Sequence, residues 1–422
     1  MVKEWLTWYW GCLFMAVAVL AVYGASINDI ITLTINGPSQ NLSIIPLFIF
    51  GFIYARALID TGVVETIVKK AIELGSERPF LTACILLAVW IYVSLGTQSA
   101  GVIIVGSITL PVLMALGVDG LTAALVHGAG WSAAYLMWPM TWPSVCYFTG
   151  VIPKMDATLA AQWISDHIDF MYKVLIWNVI VAYIWLVWRF KRKGYRLRSA
   201  TPAEVKSEGR KVPAFAMILP AVPWALIVFA KQDPIVAFIV SIFLCYILTQ
   251  PGSGRKPKDL GRLMEKNFFD GGVEAAGLIL VFLAIGWLVY LPSVKAFLDP
   301  FSQSMLQFAP RDIPTFLIFF GIITFAAVFR GPGSIRMGAP IYMTLAALAN
   351  QGQLGPITAT AIWGAGISIW AYYLWADPTI VYTVWTTSVT GNKPIDFPKN
   401  IALWAWLMTF GGLVITVLTY II

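Results

Sequence analysis

The sequence predicts an all-α polytopic membrane protein of two inverted-topology repeats, each with a re-entrant helical hairpin and a broken transmembrane helix. Three observations predict it: an apolar composition, basic residues gathered in a few loops, and short blocks that recur in the same order in both halves. Of 422 residues, 59% are hydrophobic and 12% are charged. A soluble domain of this length needs more charge than that on its surface. Apolar stretches recur and, with their flanks, reach the ~18–20 residues that cross a bilayer. Their cores include 174–188, 214–230, 235–248 and 402–422. The first apolar segment carries no Ala-x-Ala-like cleavage site and is expected to remain as a spanning helix. The net charge of +7 is read as basic cytoplasmic loops, with no nucleic-acid partner.

Charge sets the expected topology. One basic loop holds Arg189, Lys191, Arg192, Lys193, Arg196 and Arg198, and another holds Arg255, Lys256, Lys258, Arg262 and Lys266. Two spanning helices, near 213–230 and 234–250, are expected between them. Both loops, and with them Lys3, Lys69, Lys70, Arg78, Lys393 and Lys399, then lie inside. The N-terminus falls in the cytoplasm and the C-terminus outside an inner-membrane protein of about ten spans. The assignment requires 80–116 and 313–349 each to enter and leave on one face.

The halves repeat. Gly128-Ala-Gly-Trp-Ser132 matches Gly364-Ala-Gly-Ile-Ser368, and Pro143-Ser-Val-Cys-Tyr147 matches Pro378-Thr-Ile-Val-Tyr382. Pro111-Val-Leu-Met-Ala-Leu116 matches Pro340-Ile-Tyr-Met-Thr-Leu345, and Trp138 matches Trp375. Matched blocks stay roughly 230–237 residues apart. The expected organisation is a first repeat over 1–190, with its hairpin near 80–116 and its broken helix near 119–153. A basic loop and linking helix fill 191–233. The second repeat covers 234–422, with its hairpin near 313–349 and its broken helix near 354–386. Running opposite ways through the membrane, such copies are the pattern of many secondary transporters.

Breaks in the repeats mark the candidate site. The first hairpin is expected to turn at Gly96-Thr-Gln-Ser-Ala-Gly101 and the second at Arg330-Gly-Pro-Gly-Ser-Ile-Arg336. Pro139 and Pro143 interrupt the helix after the first, and Pro378 the helix after the second. Backbone unwound at membrane depth is tolerated where it lines a cavity. It offers helix N-termini to anions and carbonyls to Na⁺. Simple packing kinks are the competing reading, and four interruptions in matched places weigh against it.

Other chemistry is thin. Cys12, Cys84, Cys146 and Cys245 form no Cys-x-x-Cys pair and read as small buried hydrophobes. His127 and His167 offer no metal-ligand spacing. No nucleotide loop, paired carboxylates, histidine cluster or nucleophile elbow appears, so an enzyme is not expected, nor any cofactor beyond Na⁺ or H⁺ as coupling ion.

The run Ile45-Pro-Leu-Phe-Ile-Phe50, then Asp60-Thr-Gly62, the tip at 96–101, Ile108-Thr-Leu-Pro-Val-Leu113 and the proline-broken stretch at 138–144 resembles the ion transporter superfamily. That group includes the large membrane subunit of TRAP transporters, the gluconate permeases and the divalent-anion/Na⁺ symporters. The resemblance covers nearly the whole chain, and it implies a scaffold part and a transport part with substrate and Na⁺ at the tips. The sequence departs from the TRAP subunit in both its tip and its Trp-Pro-Met-Thr-Trp-Pro-Ser break, and it lacks the symporter Ser-Asn-Thr signature. A separate branch is indicated.

Carried onto this chain, the expected substrate-binding residues are Thr97, Gln98, Ser99, Trp138, Thr141, Ser144, Arg330, Gly333, Ser334, Arg336 and Trp375. Gly96, Ser99, Ser334, Asp377 and Thr379 are the expected ion-coupling residues. Arg330 and Arg336 suit a carboxylate held bidentately. Asp377 suits Na⁺, a coupling proton, or one of those arginines, and a plain helix cap is its bland reading. Hydroxyl and amide groups at the tips are small neutral ligands. Arg56 with Asp60, and Glu65 with Lys69, are spaced for structural ion pairs along one helix face. The leading expectation is Na⁺- or H⁺-coupled symport of a small organic anion by alternating access. Two alternatives stand beside it: a membrane subunit served by a separate substrate-binding protein, and an organic-cation or Na⁺ antiporter whose aromatics near the breaks wall the pocket. Expected partners are the small anion, the lipid bilayer and, from the resemblance, a second copy in a homodimer.

Overall fold

The computed structural model describes residues 2–75, 78–195, 212–251, 254, 256–327, 338–378 and 380–422, with side chains at all of these except 2–9, 98–100, 104, 257 and 381. Helices make up the fold, and no strand occurs among the described residues. In the first half these are α1 (Val2–Val22), α2 (Ile27–Asn36), α3 (Ile45–Asp60), α4 (Val63–Gly75), α5 (Pro79–Ala115), α6 (Gly120–Ala134), α7 (Trp142–Phe148), α8 (Ala157–Asp166) and α9 (Ile168–Lys193). The next four are α10 (Val222–Val228), α11 (Pro234–Thr249), α12 (Pro257–Tyr290) and α13 (Lys295–Phe308). The last five are α14 (Ile313–Phe325), α15 (Ala339–Asn350), α16 (Ala359–Ala376), α17 (Val381–Thr390) and α18 (Asp396–Tyr420). Among the described residues, five stretches are long and apolar enough to cross a bilayer: Ile27–Asp60, Pro79–Thr97, Ile168–Lys193, Lys258–Ser293 and Asp396–Tyr420. A sixth is counted if α13 and α14, which meet at 116°, form one span.

Two helices sit at the centre. Every residue of α6 from Thr122 to Ala134 is buried, and so is α16 from Ala361 to Ala376 except Tyr373. A helix buried on all sides belongs to the middle of a bundle. The pair runs antiparallel: the Ser132 hydroxyl donates to the Ala371 carbonyl (2.7 Å), and the Trp375 indole N–H donates to the Leu125 carbonyl (3.1 Å). Around them pack α5, α9, α17 and α18. A smaller second core joins α1 and α2 to the C-terminal half of α12, through Leu20, Leu33, Trp287 and Leu288. At that junction the backbones touch, since a Cβ on Gly286 would collide with the Gly37 carbonyl.

The long helix α5 is folded back on itself. Its 37 residues, if straight, would reach about 55 Å. Yet Trp90 packs its ring 3.9 Å from that of His127, while a Cβ on Gly106 would lie 2.8 Å from the same imidazole's Cε1. Sixteen residues of straight helix would hold these two positions about 24 Å apart. The two ends also converge. Phe80 meets Phe190 edge-on, Phe190 packs at a tilt against Tyr195, and the Tyr195 hydroxyl donates to Asp119, four residues beyond the end of α5. The expected loop at 96–101 is nonetheless corrected: its backbone stays helical. No proline lies between Pro79 and Pro111, and each glycine costs a helix only about 1 kcal/mol. Gly96 serves a close approach, because a Cβ there would lie 2.7 Å from the Pro220 carbonyl.

The second expected hairpin follows the same plan. Its arms, α14 and α15, stack Phe320 on Tyr342 with ring centroids 6.2 Å apart. Its tip lies outside the described residues. Its ends meet: Gly355, held at a φ of +63°, would bring a Cβ to 2.8 Å from the Arg311 carbonyl. The base of the first folded segment lies at the N-terminal end of α6, and that of the second at the N-terminal end of α16. Because α6 and α16 are antiparallel, the two bases lie at opposite ends of the bundle.

Two local expectations change. The helix near 213–230 is a 3₁₀ stretch, Ala214–Ala221, followed by the two-turn α10. Pro220 and Pro223 remove the N–H donors a longer α-helix needs, and the Tyr92 and Tyr54 hydroxyls take up the Met217 and Leu219 carbonyls. Arg56 and Asp60 do not pair with each other. Arg56 grips Glu274 with Nε 2.9 Å from Oε2, and Asp60 holds Lys266 at 2.8 Å, so both tie α3 to α12. Glu65 and Lys69 form no ion pair.

Two predictions test this fold. Spin labels at Leu81 and Ala115, in a cysteine-free chain, are expected less than about 35 Å apart, against about 50 Å for a straight helix. Adjacent glycines of α12 should respond oppositely. Gly271→Ala, whose Cβ would sit 2.7 Å from the Ile53 backbone, should lower stability by about 1–3 kcal/mol in thermal unfolding. Gly272→Ala meets nothing within 4 Å and should be neutral or stabilising by up to about 1 kcal/mol.

Candidate functional site

The helix that begins as α6 breaks where its prolines stand. Two 3₁₀ turns, Tyr135–Met137 and Pro139–Thr141, separate it from α7. Trp138, extended between them at φ −85° and ψ 113°, is fully buried. The break satisfies part of its own backbone: Thr141 donates its hydroxyl to the Trp138 carbonyl (2.7 Å) and the Trp142 indole donates to the Leu136 carbonyl (2.9 Å). In the second half, α16 ends at Ala376 and α17 starts at Val381. Asp377 caps α16 in extended conformation, its N–H donating to the Tyr373 carbonyl at 3.1 Å, and it has no exposed surface.

Aromatic rings pack these breaks together. Tyr135 lies 4.5 Å from Trp138 and 4.8 Å from Trp370. Trp131 meets Tyr382 edge-on at 5.1 Å. Trp375 is a clamp: its indole is spent on the Leu125 carbonyl, its ring meets Trp185 at 5.1 Å, and it sits against Gly128, where a Cβ would lie 3.0 Å away.

The residues expected from the sequence divide into three groups. Thr97, Trp138, Thr141, Ser144, Trp375 and Asp377 are all buried. Thr97 donates to the Val93 carbonyl and Ser144 to the Thr141 carbonyl, each at 2.9 Å. Their hydroxyl protons are therefore engaged, which leaves oxygen lone pairs for a ligand. Gly96, Gln98 and Ser99 lie on the helical bend of α5, with the Gln98 and Ser99 side chains outside the described residues. Arg330, Gly333, Ser334, Arg336 and Thr379 also lie outside the described residues.

Sequence reading passed over several buried polar groups here. Among the described residues, neither ring nitrogen of His127 has a hydrogen-bonding partner, nor do the hydroxyls of Thr344, Thr383 and Thr386. A lone histidine inside the apolar run Ala123–Ala129 was the available signal, since polar groups at membrane depth are expensive.

A polar node closes the N-terminal end of α6. Asp119 caps the helix through the Thr122 N–H (3.0 Å) and hydroxyl (2.8 Å), and Lys193 stands 3.6 Å from it. Arg189 donates to the Thr122 hydroxyl at 3.0 Å and to Asn400 at 3.1 Å, which joins α6, α9 and α18. Burial alone would raise the Asp119 carboxyl, but hydrogen bonds from Tyr195 and Thr122 outweigh it and hold the group below the ordinary carboxylate range. Tyr195 is pushed up to about 12 by burial and by its bond to Asp119.

Two antiparallel, fully buried helices, each followed by a break and set beside a segment that folds back, define an α-helical fold with several stretches apolar enough to cross a bilayer. Among solved structures the chain is similar to the YdaH transporter of Alcanivorax borkumensis, described as having an unusual topology. The match has a TM-score of 0.61 at 13% sequence identity, and covers 98% of this chain and 97% of that one. No family model matches the chain, and no curated protein does.

Asp119→Asn keeps a capping side chain and removes the charge. Asp119 has its carboxyl lowered by folding, so its stabilising effect is present above the unfolded value near 4 and is lost as pH falls through the folded value. Melting curves in detergent should place the variant below the parent at pH 7, and the gap should shrink below about pH 4.

Proposed function

We infer that this chain is a secondary transporter that moves a small organic anion together with Na⁺ or H⁺ by alternating access. The observation that carries this reading is the pair of folded-back segments whose bases lie at opposite ends of the bundle, each followed by a broken helix. That arrangement supports two copies of one unit in opposite orientation, with re-entrant hairpins reaching in from opposite faces. Half-helices that end inside the bundle leave N–H and carbonyl groups for a charged ligand and its ion.

The anion reading rests on Arg330 and Arg336, which flank the second tip in the sequence and supply its positive charge. Asp377, fully buried at the second break, is assigned to ion coupling, with Gly96, Ser99, Ser334 and Thr379. A buried carboxylate is held by pairing with a cation or a proton. Basic loops in the cytoplasm of the inner membrane, a cytoplasmic N-terminus and an outer C-terminus complete the reading. The two-core scaffold around α12 is the part assigned to pairing with a second copy.

Counterflow in proteoliposomes, run against a panel of carboxylates and amines with and without a Na⁺ gradient, tests the proposal. Exchange of a carboxylate is expected. Arg330→Ala or Arg336→Ala should abolish its binding in thermal-shift titrations while the protein still folds. Asp377→Asn should remove ion dependence more than substrate affinity. Unaltered transport by both arginine variants would end the anion reading. Exchange of amines alone would assign the Tyr135, Trp138 and Trp370 rings to an organic cation.

A further inference from the structure

His127 stands in the middle of α6 with 1% of its surface exposed. The Trp90 ring meets it edge-on at 3.9 Å, and Trp385 from α17 lies 6.2 Å away. Gly106 leaves room for it, because a Cβ there would lie 2.8 Å from its Cε1 and 2.7 Å from the Trp385 ring. The imidazole is thus enclosed by both arms of the folded α5 and by α17. Both of its nitrogens are buried without a hydrogen-bonding partner among the described residues.

Such a site is poor for packing alone. A neutral imidazole brings one donor and one acceptor, and leaving a buried polar group unpaired costs about 1–3 kcal/mol. A phenyl ring would fill a tryptophan-walled slot without that cost. The elements around the ring are those a hairpin motion would shift relative to α6, namely α5 and α17.

We propose that His127 is the residue through which this transporter takes up and releases a coupling proton. When the arms of α5 part from α6, water reaches the ring and a nitrogen accepts H⁺. When they close, the cation cannot remain in its apolar slot, and the proton leaves to water on the side then open. No bond other than N–H is made or broken, and no redox partner is needed. The charged groups described on the surrounding elements lie away from the ring. Asp119, Lys193 and Arg189 gather at the N-terminal end of α6, the last through Thr122. Asp377 lies two residues past Trp375, whose indole packs on Gly128. On α5 and α17 the groups against the ring are Trp90, Gly106 and Trp385, and neither helix carries a charged residue. The proposal rests on the transporter reading and deepens it by naming H⁺ as a coupling ion and His127, beside Asp377, as a residue that carries it.

The test begins without a substrate. The chain has two histidines, so exchange of the imidazole Cε1 hydrogen for deuterium can be followed on separate peptides by mass spectrometry. His167, partly exposed and bonded through Nδ1 to the Trp163 carbonyl at 2.8 Å, is the internal reference. In the full chain in nanodiscs, His127 should exchange, with a rate that follows a sigmoid centred between about pH 5 and 8. Absence of exchange at His127 while His167 exchanges would overturn the proposal and make the ring a packing element. Transport then separates the two readings. His127→Phe keeps the ring-shaped filling and His127→Gln keeps a donor and an acceptor. With labelled succinate, citrate or glutamate, both should retain counterflow and lose uptake driven by a pH gradient. Gradient-driven uptake equal to the parent's would overturn the proton role and leave the transporter standing. Failure of the parent to move any of the three would count against the anion reading, while the exchange result still decides His127.

Discussion

The antiparallel contact between α6 and α16 is the constraint on which the rest of the structure depends. Both helices are buried on every side, so neither has a polar face to give to water or a free apolar face to give to lipid. Their register is set by two hydrogen bonds that run in opposite directions, Ser132 to the Ala371 carbonyl and Trp375 to the Leu125 carbonyl. In an apolar surrounding such bonds are strong, and there is no water to replace them. Once the pair is set, each break lies beside the intact middle of the other helix. The bases of the two folded segments then lie at opposite ends.

The breaks are stable because they are lined by protein. Irregular backbone at membrane depth needs partners that lipid cannot supply. At the first break these are the Thr141 hydroxyl and the Trp142 indole, and at the second the Asp377 N–H closes onto Tyr373. Tryptophan recurs here because it fills volume and carries one donor that can reach a carbonyl. The same device pins Trp177 of α9 to the Leu407 carbonyl of α18.

Scaffold and centre are held by different forces. Between α3 and α12, backbone contact at Gly271 and Ile53 combines with ion pairs from Arg56 and Asp60 to Glu274 and Lys266. The centre has no comparable ion pairs among the described residues. Aromatic edges and single hydrogen bonds hold it, and several hydroxyls there, such as those of Thr383 and Thr386, stay unpaired. Contacts of that kind are individually weak.

The sequence by itself determined the helical membrane class and the two breaks. Composition, proline and glycine act locally or on average, and Pro139, Pro143 and Pro378 stand at the two breaks. Tertiary structure decided what long-range partners decide. Arg56 and Asp60, spaced to pair along one helix, reach α12 instead, because opposite charges there are closer than one turn away. The bend of α5 keeps helical backbone through Gly96 and Gly101, where local preference pointed to a loop, because packing against Pro220 and His127 sets the path. His127 itself gave only a residue type. That its ring is enclosed by two arms of one helix and left without a partner follows from residues sixteen apart in α5, Trp90 and Gly106, meeting at one point. No periodicity in the chain encodes that meeting.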